Sequence, residues 1–213
     1  GDGSALALSF AAMERYYEKH GREWERYAFI KARIVAGDTA QGQELLSTLK
    51  PFVYRRYIDY SAFAALRDMK AMIEREVRRK DMADNIKLGS GGIREVEFIA
   101  QAFQLIRGGV FKDLQQRPLL PVLQVLVERQ LLSATIAQDL AQAYVFLRQV
   151  EHRIQCYQDQ QTQMLPSDDL VRLRLACSLG FVNYEAFLAV LNQHRTHVSQ
   201  QFQEVVDNKS DKA

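Results

Sequence analysis

The hydrophobic positions of this chain recur mostly at spacings of three and four residues, the period of an α-helix with one buried face. We therefore predict an all-α fold, a multi-helix bundle of about eight or nine helices. The longest element is a coiled-coil-like helix near 133–164, about 48 Å long at 1.5 Å per residue. Its apolar seam consists of Ile136, Leu140, Ala143, Leu147, Val150, Ile154 and Tyr157, with Gln161 continuing the seam.

Small polar residues indicate where several helices begin, because their side chains can accept a hydrogen bond from a first-turn amide. Ser9, Asp38, Ser133 and Asn183 are the predicted caps of four helices. A further helix is predicted from about Glu23 to Val35. The side chains expected along its apolar face are Trp24, Tyr27, Ile30 and Ile34.

Breaks in the pattern divide the rest of the chain. A helix is predicted to begin at Ser61, and Pro166 and Ser167 are expected to interrupt the chain and cap the following helix. The loop Gly108–Arg117 is a possible separator of two sub-bundles, although a single bundle is equally compatible with the pattern. A helix after the break at Asp84–Gly92 is expected to bury Val96, Ile99, Phe103 and Ile106.

Composition and charge restrict the classes of partner. The 213 residues are 47% hydrophobic and 25% charged, which is typical of a globular protein, and the formal net charge is only +2. That charge is too small to favour nucleic acid or a membrane as the main partner. The two cysteines, Cys156 and Cys177, have no metal-binding or disulfide-framework spacing, so a cytoplasmic location is predicted.

The most unusual segment is DNIKLGSGGIREVEF, which covers residues 84–98. Glycines allow close backbone approach, and the amides and dipole at a helix start favour an anion. The candidate phosphate- or nucleotide-binding residues are Lys87, Gly89, Gly91, Gly92 and Arg94, with Glu95 and Glu97 in support. The alternative is a tight turn followed by solvated helix residues.

Three spaced segments resemble the bacterial glutamine synthetase adenylyltransferase/deadenylylase family. They are KLGSGGIREVEFIAQAFQLIRGG (Lys87 to Gly109), YYEKHGREWERYAFIKAR (Tyr16 to Arg33) and DQQTQMLPSDD (Asp159 to Asp169). The resemblance is to the helical domain that follows the N-terminal, deadenylylating nucleotidyltransferase palm. It implies residues 1–8 as a remnant of that palm, 9–206 as the helical domain and 207–213 as a disordered tail.

The resemblance also implies the chemistry of the parent enzyme, which adds AMP to a tyrosine of glutamine synthetase and removes it by phosphorolysis. Mg2+ and ATP, ADP or phosphate would serve the parent, with none expected to bind tightly to this chain. Glutamine synthetase, the PII signal protein with or without UMP, and the effector glutamine are the implied partners. No two aspartates of this chain are two residues apart, as the palm's metal site requires, so the chain alone is predicted to be inactive.

No metal site is predicted in this chain. His194 and His197 are three residues apart on a predicted helix and could share a face, but no carboxylate lies at helical spacing beside them. The competing function is a helical protein-interaction module without nucleotide contact, in which the glycine segment is purely architectural. The sequence of the chain also lacks an initiating methionine, and we expect it to be the interior of a longer protein.

Overall fold

A computed structural model of the chain describes residues 7–56, 68, 71, 75, 82–159 and 161–207. Within these residues there is no β-strand, only an isolated antiparallel bridge between Asn85 and Met164. The predicted all-α fold is confirmed. The α-helices of the described residues are α1 (Phe10–Lys19), α2 (Glu23–Phe29), α3 (Thr39–Val53), α4 (Ile93–Arg107), α5 (Leu119–Glu128), α6 (Ala134–Cys156), α7 (Asp169–Ser178) and α8 (Tyr184–Asp207).

Some predictions lie outside the described residues. These are the helix expected to begin at Ser61 and, over residues 1–6 and 208–213, the expected palm remnant and disordered tail. Inside the described residues, all four predicted caps are confirmed. The side chains of Ser9, Asp38, Ser133 and Asn183 each accept a first-turn amide hydrogen bond at 2.8 to 3.3 Å.

The chain divides into two units, and the first comprises Gly1–Ala65 and Gln101–Pro118. Helices α1 and α2 both pack against α3 there. The loop Gly108–Arg117 belongs to this unit and does not separate the two. The buried side-chain amide of Gln104, on α4, donates to two carbonyl oxygens of this loop, Leu114 O at 2.6 Å and Gln116 O at 2.7 Å. These hydrogen bonds hold the loop to α4 and satisfy the buried amide donors of Gln104 without water.

The prediction for α2 is wrong in length and in the face that it buries. The helix ends at Phe29, not near Val35, and Trp24 is 55% exposed. The reason is Arg26, only 1% exposed, whose guanidinium donates to the carbonyl oxygen of Val53 at 3.2 and 3.3 Å. That bond satisfies a backbone acceptor at the end of α3, and it turns Trp24, two residues earlier on the helix, toward solvent.

The second unit comprises Leu66–Ala100 and Leu119–Ala213, so α4 gives its first eight residues to this unit and the rest to the first. Within it, α6 packs against α5, α7 and α8. The predicted seam of α6 is confirmed over its middle, where Leu140, Ala143, Leu147, Val150 and Ile154 are buried. At its start the predicted Ile136 is half-buried and its neighbour Ala137 is buried instead. The apolar positions predicted along α4, Val96, Ile99, Phe103 and Ile106, are also buried.

The predicted extent of the long helix near 133–164 is wrong, because α6 ends at Cys156. A 3₁₀ turn follows, and Asp159 has a φ of +51°, which stops the helix. The segment beyond is extended because its backbone bonds elsewhere: Ile86 N donates to Gln163 O at 2.9 Å, and Leu165 N donates to Asp84 O at 3.0 Å. Gln161 is thus not on the seam.

The cap of α7 also differs from the expectation. Asp168, not Ser167, precedes the helix, and its carboxylate accepts the amide hydrogen bond of Val171 at 3.0 Å. None of the helices in the described part of the chain combines the length and the apolar character needed to cross a membrane.

Candidate functional site

The segment Asp84–Gly92, called here the glycine loop, is organised by a buried asparagine. Asn85 is 5% exposed, and its side-chain oxygen accepts hydrogen bonds from the amides of Lys87 at 2.9 Å and Leu88 at 2.8 Å. Asparagine favours such turns because its side chain imitates a backbone acceptor. The turn sets the path of the chain into α4, so that Lys87 O meets the amide of Arg94 at 3.0 Å.

The amides at the start of α4 are not free to bind an anion, contrary to the reasoning from sequence. Gly91 N donates to the carboxylate of Glu95 at 2.9 Å. The amides of Gly92, Ile93 and Arg94 donate to carbonyl oxygens of the glycine loop at 2.9 to 3.1 Å. Because the loop folds back over the helix start, it supplies acceptors that an isolated helix would lack. Any anion here must be bound by side chains.

Close packing requires all three glycines, Gly89 and Gly91 against α8 and Gly92 within the loop itself. Gly91 has a φ of +69°, and a Cβ there would lie 2.1 Å from the carbonyl oxygen of Arg195. A Cβ at Gly89 would lie 2.5 Å from the Arg195 guanidinium, and one at Gly92 would lie 2.7 Å from two loop carbonyl oxygens. A side chain at Gly89 or Gly91 would push the loop away from α8, and a side chain at Gly92 would push apart the turns of the loop.

Arg195 supports the loop, and reasoning from the sequence missed it. Its guanidinium donates to Ser90 O and Ala83 O, each at 2.8 Å, so that one cation holds two turns of the loop. Burial lowers the pKa of Arg195, while the carboxylates of Asp84 and Glu95 oppose that shift. The contacts span more than one hundred residues of sequence, and neither the charge nor the spacing of Arg195 distinguishes it from other helix arginines.

The predicted cations have different surroundings. Lys87 lies 4.0 Å from the carboxylate of Glu151, whose side chain is 3% exposed, and Arg148 forms an ion pair with the same carboxylate. Lys87 remains 42% exposed. Arg94 is exposed and forms no ion pair with any residue that the structure describes. The side chains of Lys87 and Arg94 thus keep contact with solvent beside the loop.

Glu97 faces the same part of α6. Burial raises the pKa of Tyr144, and the negative charges of Glu97 and Glu151 raise it further. The positive charge of Arg148 lowers it. Lys87 of the loop and Glu97 of α4 therefore form one mixed-charge cluster with Tyr144, Arg148 and Glu151 of α6. No group of three or more histidine, cysteine, aspartate or glutamate side chains suited to a metal ion occurs within the described residues.

Comparison with known proteins identifies the relationships of the chain. A family model described as GlnD PII-uridylyltransferase matches residues 67–206, well over half of the chain. The chain belongs to this family. A second family model, described as glutamate-ammonia ligase adenylyltransferase, matches residues 1–48. The predicted resemblance to the adenylyltransferase/deadenylylase family is confirmed by this second match and by the relatives.

The chain is similar over nearly its whole length to curated relatives with one shared name, bifunctional glutamine synthetase adenylyltransferase/adenylyl-removing enzyme. It is 56% identical to the protein of Thioalkalivibrio sulfidiphilus over 96% of the chain and 54% identical to that of Pseudomonas aeruginosa over 97%. The protein of Acinetobacter baylyi is 54% identical over 98% of the chain. The chain spans only 21 to 22% of the length of these relatives.

Proposed function

We propose that this chain is the helical part of a bifunctional nucleotidyltransferase that adds AMP to glutamine synthetase and removes it. One observation carries the proposal: nearly the whole chain is more than half identical to proteins named for these two activities. We assign it to the deadenylylating half, as the GGIRE sequence at residues 91–95 suggests by resemblance. The proposal includes a cytoplasmic location, and PII signal protein and glutamine as regulators.

In this proposal, Mg2+ and the carboxylates that bind it belong to a nucleotidyltransferase palm. The metal ions would neutralise the reacting oxygens while an oxygen of inorganic phosphate attacks the adenylyl phosphorus. The tyrosine oxygen of glutamine synthetase leaves and takes a proton, and ADP is released. The chain's own contribution is positive charge: the exposed side chains of Lys87 and Arg94 attract the phosphate or the AMP group.

The geometry of the loop limits how this contribution is made. Since the amides from Gly91 to Arg94 already have acceptors, the proposed binding depends on Lys87 and Arg94 rather than on the backbone. The glycines Gly89, Gly91 and Gly92 then act indirectly, by allowing the loop to pack on Arg195 and fixing where the two cations emerge. Glu95 orients the loop through Gly91 N, and Glu97 balances the charge of the cluster on α6.

The same hydrogen bonds favour a second candidate function, a helical protein-interaction module whose glycine loop has no nucleotide contact. A loop that satisfies its own amides and presses its glycines on a neighbouring helix needs no ligand to be ordered. In that case Lys87 and Arg94 would be ordinary solvated side chains, and their removal would not change the chemistry of the parent enzyme.

The two candidates differ in what Lys87→Ala and Arg94→Ala do in the full-length enzyme. The nucleotidyltransferase role predicts that each variant slows phosphate-dependent release of ADP from adenylylated glutamine synthetase by about tenfold or more, since a charge-assisted contact to phosphate is lost. Adenylylation should change much less. The matched control is Arg117→Ala, an exposed arginine of the first unit. Normal rates of deadenylylation in both variants would support the interaction module instead.

A further inference from the structure

The second unit contains a cavity of about 520 Å3 beside the end of α6. Its walls come from the last residues of α6 and the 3₁₀ turn after it, the extended segment 162–168, and one face of α7 from Val171 to Ser178. This volume lies within the range of about 300–1,000 Å3 that is typical of sites for small organic ligands. The extended segment also belongs to the third stretch that the sequence analysis singled out, to which no role has yet been given.

Two arginines give the cavity an unbalanced positive charge. Arg153 and Arg174 line it, both are exposed, and neither forms an ion pair with a residue in the described part of the chain. The acidic side chain in the lining is Asp168, whose carboxylate is already bonded to the amide of Val171 at 3.0 Å. Helix α7, ten residues long, begins at the same wall and adds the positive end of its dipole.

The remaining lining is mainly apolar. Ile154 and Leu175 are buried, and Leu165 and Val171 are half-buried beside them. The ring of Tyr157, also half-buried, lies in the same lining and offers an aromatic surface. A ligand that matches these walls therefore needs a flat or apolar body as well as an anionic group, since a bare anion would leave the apolar surface in contact with water.

We propose that this cavity binds a nucleoside phosphate, with its phosphate held by Arg153 and Arg174 and its base against the apolar wall and Tyr157. Guanidinium groups are suited to phosphate because they donate two parallel hydrogen bonds, and aromatic rings are suited to bases because the two stack. The site is separate from the cations of the glycine loop, and its existence does not depend on the function proposed above.

Occupancy of the cavity has a direct structural route to the glycine loop. The wall residue Leu165 donates its amide to Asp84 O at 3.0 Å, and the neighbouring Gln163 O accepts from Ile86 N at 2.9 Å. The amide resonances of Leu165 and Ile86 should therefore both shift when a ligand contacts this wall. Shifts of both resonances indicate binding in the cavity, because a ligand on Lys87 or Arg94 would not contact Leu165, which lies in the cavity wall.

The test is a titration of the 15N-labelled chain with AMP, followed by calorimetry. We expect saturable binding, amide shifts centred on the cavity wall, and a dissociation constant at least tenfold lower for AMP than for adenosine or inorganic phosphate alone. Arg153→Ala and Arg174→Ala should each weaken AMP binding by about tenfold, because each removes a charged hydrogen-bond donor. The matched control, Arg117→Ala, should bind AMP as the unmodified chain does.

Four outcomes would overturn the proposal. The first is no saturable AMP binding at millimolar concentration, and the second is binding that neither Arg153→Ala nor Arg174→Ala weakens. The third is inorganic phosphate binding as tightly as AMP, which would mean that the apolar walls contribute nothing. Shifts centred on Gly89–Arg94 and abolished by Lys87→Ala would likewise reject the cavity, while favouring the role of the glycine loop in the parent enzyme.

Discussion

The glycine loop and the cavity lie in the same unit and both carry arginines, but they use them in opposite ways. In the loop, the guanidinium of Arg195 is committed to two backbone carbonyl oxygens, and the amides from Gly91 to Arg94 have internal acceptors. In the cavity, the arginines at positions 153 and 174 have no carboxylate partner within the residues described. The backbone of the loop is satisfied internally, so only the side chains of Lys87 and Arg94 are left for a ligand there. The cavity instead offers two arginines beside an apolar wall.

This difference shows that a segment that is noticeable in the sequence need not be the one whose polar groups are free to bind a ligand. Gly89, Gly91 and Gly92 attract attention because glycine-rich turns before helices often bind phosphate. Here Gly91 instead lets the backbone of the loop press on the backbone of α8, Gly89 makes room for the Arg195 side chain, and Gly92 makes room for carbonyl oxygens of the loop. The cavity lacks any glycine motif, since its character comes from side chains on α6 and α7 that folding brings together.

The largest expected effect tests the completeness of the loop. Gly91→Ala should lower the free energy of unfolding by about 2–5 kcal/mol, because the left-handed φ costs about 1–2 kcal/mol and the contact with Arg195 O adds overpacking. Urea denaturation followed by circular dichroism measures it. The matched control is Gly180→Ala, where φ is +86° and a Cβ meets no atom within 4 Å. Equal losses for the two variants would mean that the loop is not packed as described.

A smaller effect compares arginines of the two regions directly. Arg195→Ala should cost about 1–2 kcal/mol of unfolding free energy, since it removes two charge-assisted hydrogen bonds to the carbonyl oxygens of Ser90 and Ala83, which water then solvates. Arg174→Ala, which removes an exposed side chain without an ion pair, should change that free energy by less than about 0.5 kcal/mol. The shift of the urea midpoint gives both changes in unfolding free energy, provided that the slope of that free energy against urea concentration is the same in each variant. A cost for Arg174→Ala that approaches that of Arg195→Ala would contradict the comparison.

Local features of the fold were predictable from the sequence because local physics determines them. Ser9 and Asp38 cap helices with their own side chains, and the seam of α6 follows from apolar spacing alone. The apolar face of α4 was predictable for the same reason. These features need no knowledge of what each helix packs against.

Features that depend on distant partners were not predictable. Arg26 is buried because it reaches a carbonyl oxygen at Val53, and this contact, rather than the position of Trp24, decides which face of α2 is covered. The pairing of residues 163–165 with residues 84–86 ends α6 early, although the helical spacing continues to Gln161. The same holds for the candidate site. Lys87 and Arg94 could be identified because they lie in the motif, but Arg195 and Glu151 could not, because they contact the loop from distant helices.

The smallest expected effect asks whether either region responds to pH. Arg195 and Asn85 do not change charge between pH 5 and 8, so the contacts they make in the loop should not depend on pH there. His194, the neighbour of Arg195 on α8, stacks on Phe146 at 4.9 Å between ring centroids. Burial lowers the pKa of His194, the nearby His197 lowers it further, and Asp139 opposes both.

The sign of the effect follows from the lowered pKa. Below about pH 6.5 the unfolded chain binds a proton at His194 that the folded chain resists, so stability should fall as the pH decreases from 7 toward 5. The loss should be less than about 1 kcal/mol, because His194 is only partly buried and water screens its charge. Urea denaturation at several pH values measures the slope, which His194→Gln should reduce. The control variant His20→Gln, at the C-cap of α1, should leave the slope intact. A slope that persists in His194→Gln but disappears in Arg195→Ala would assign the pH response to the loop and contradict the view that fixed charges hold it.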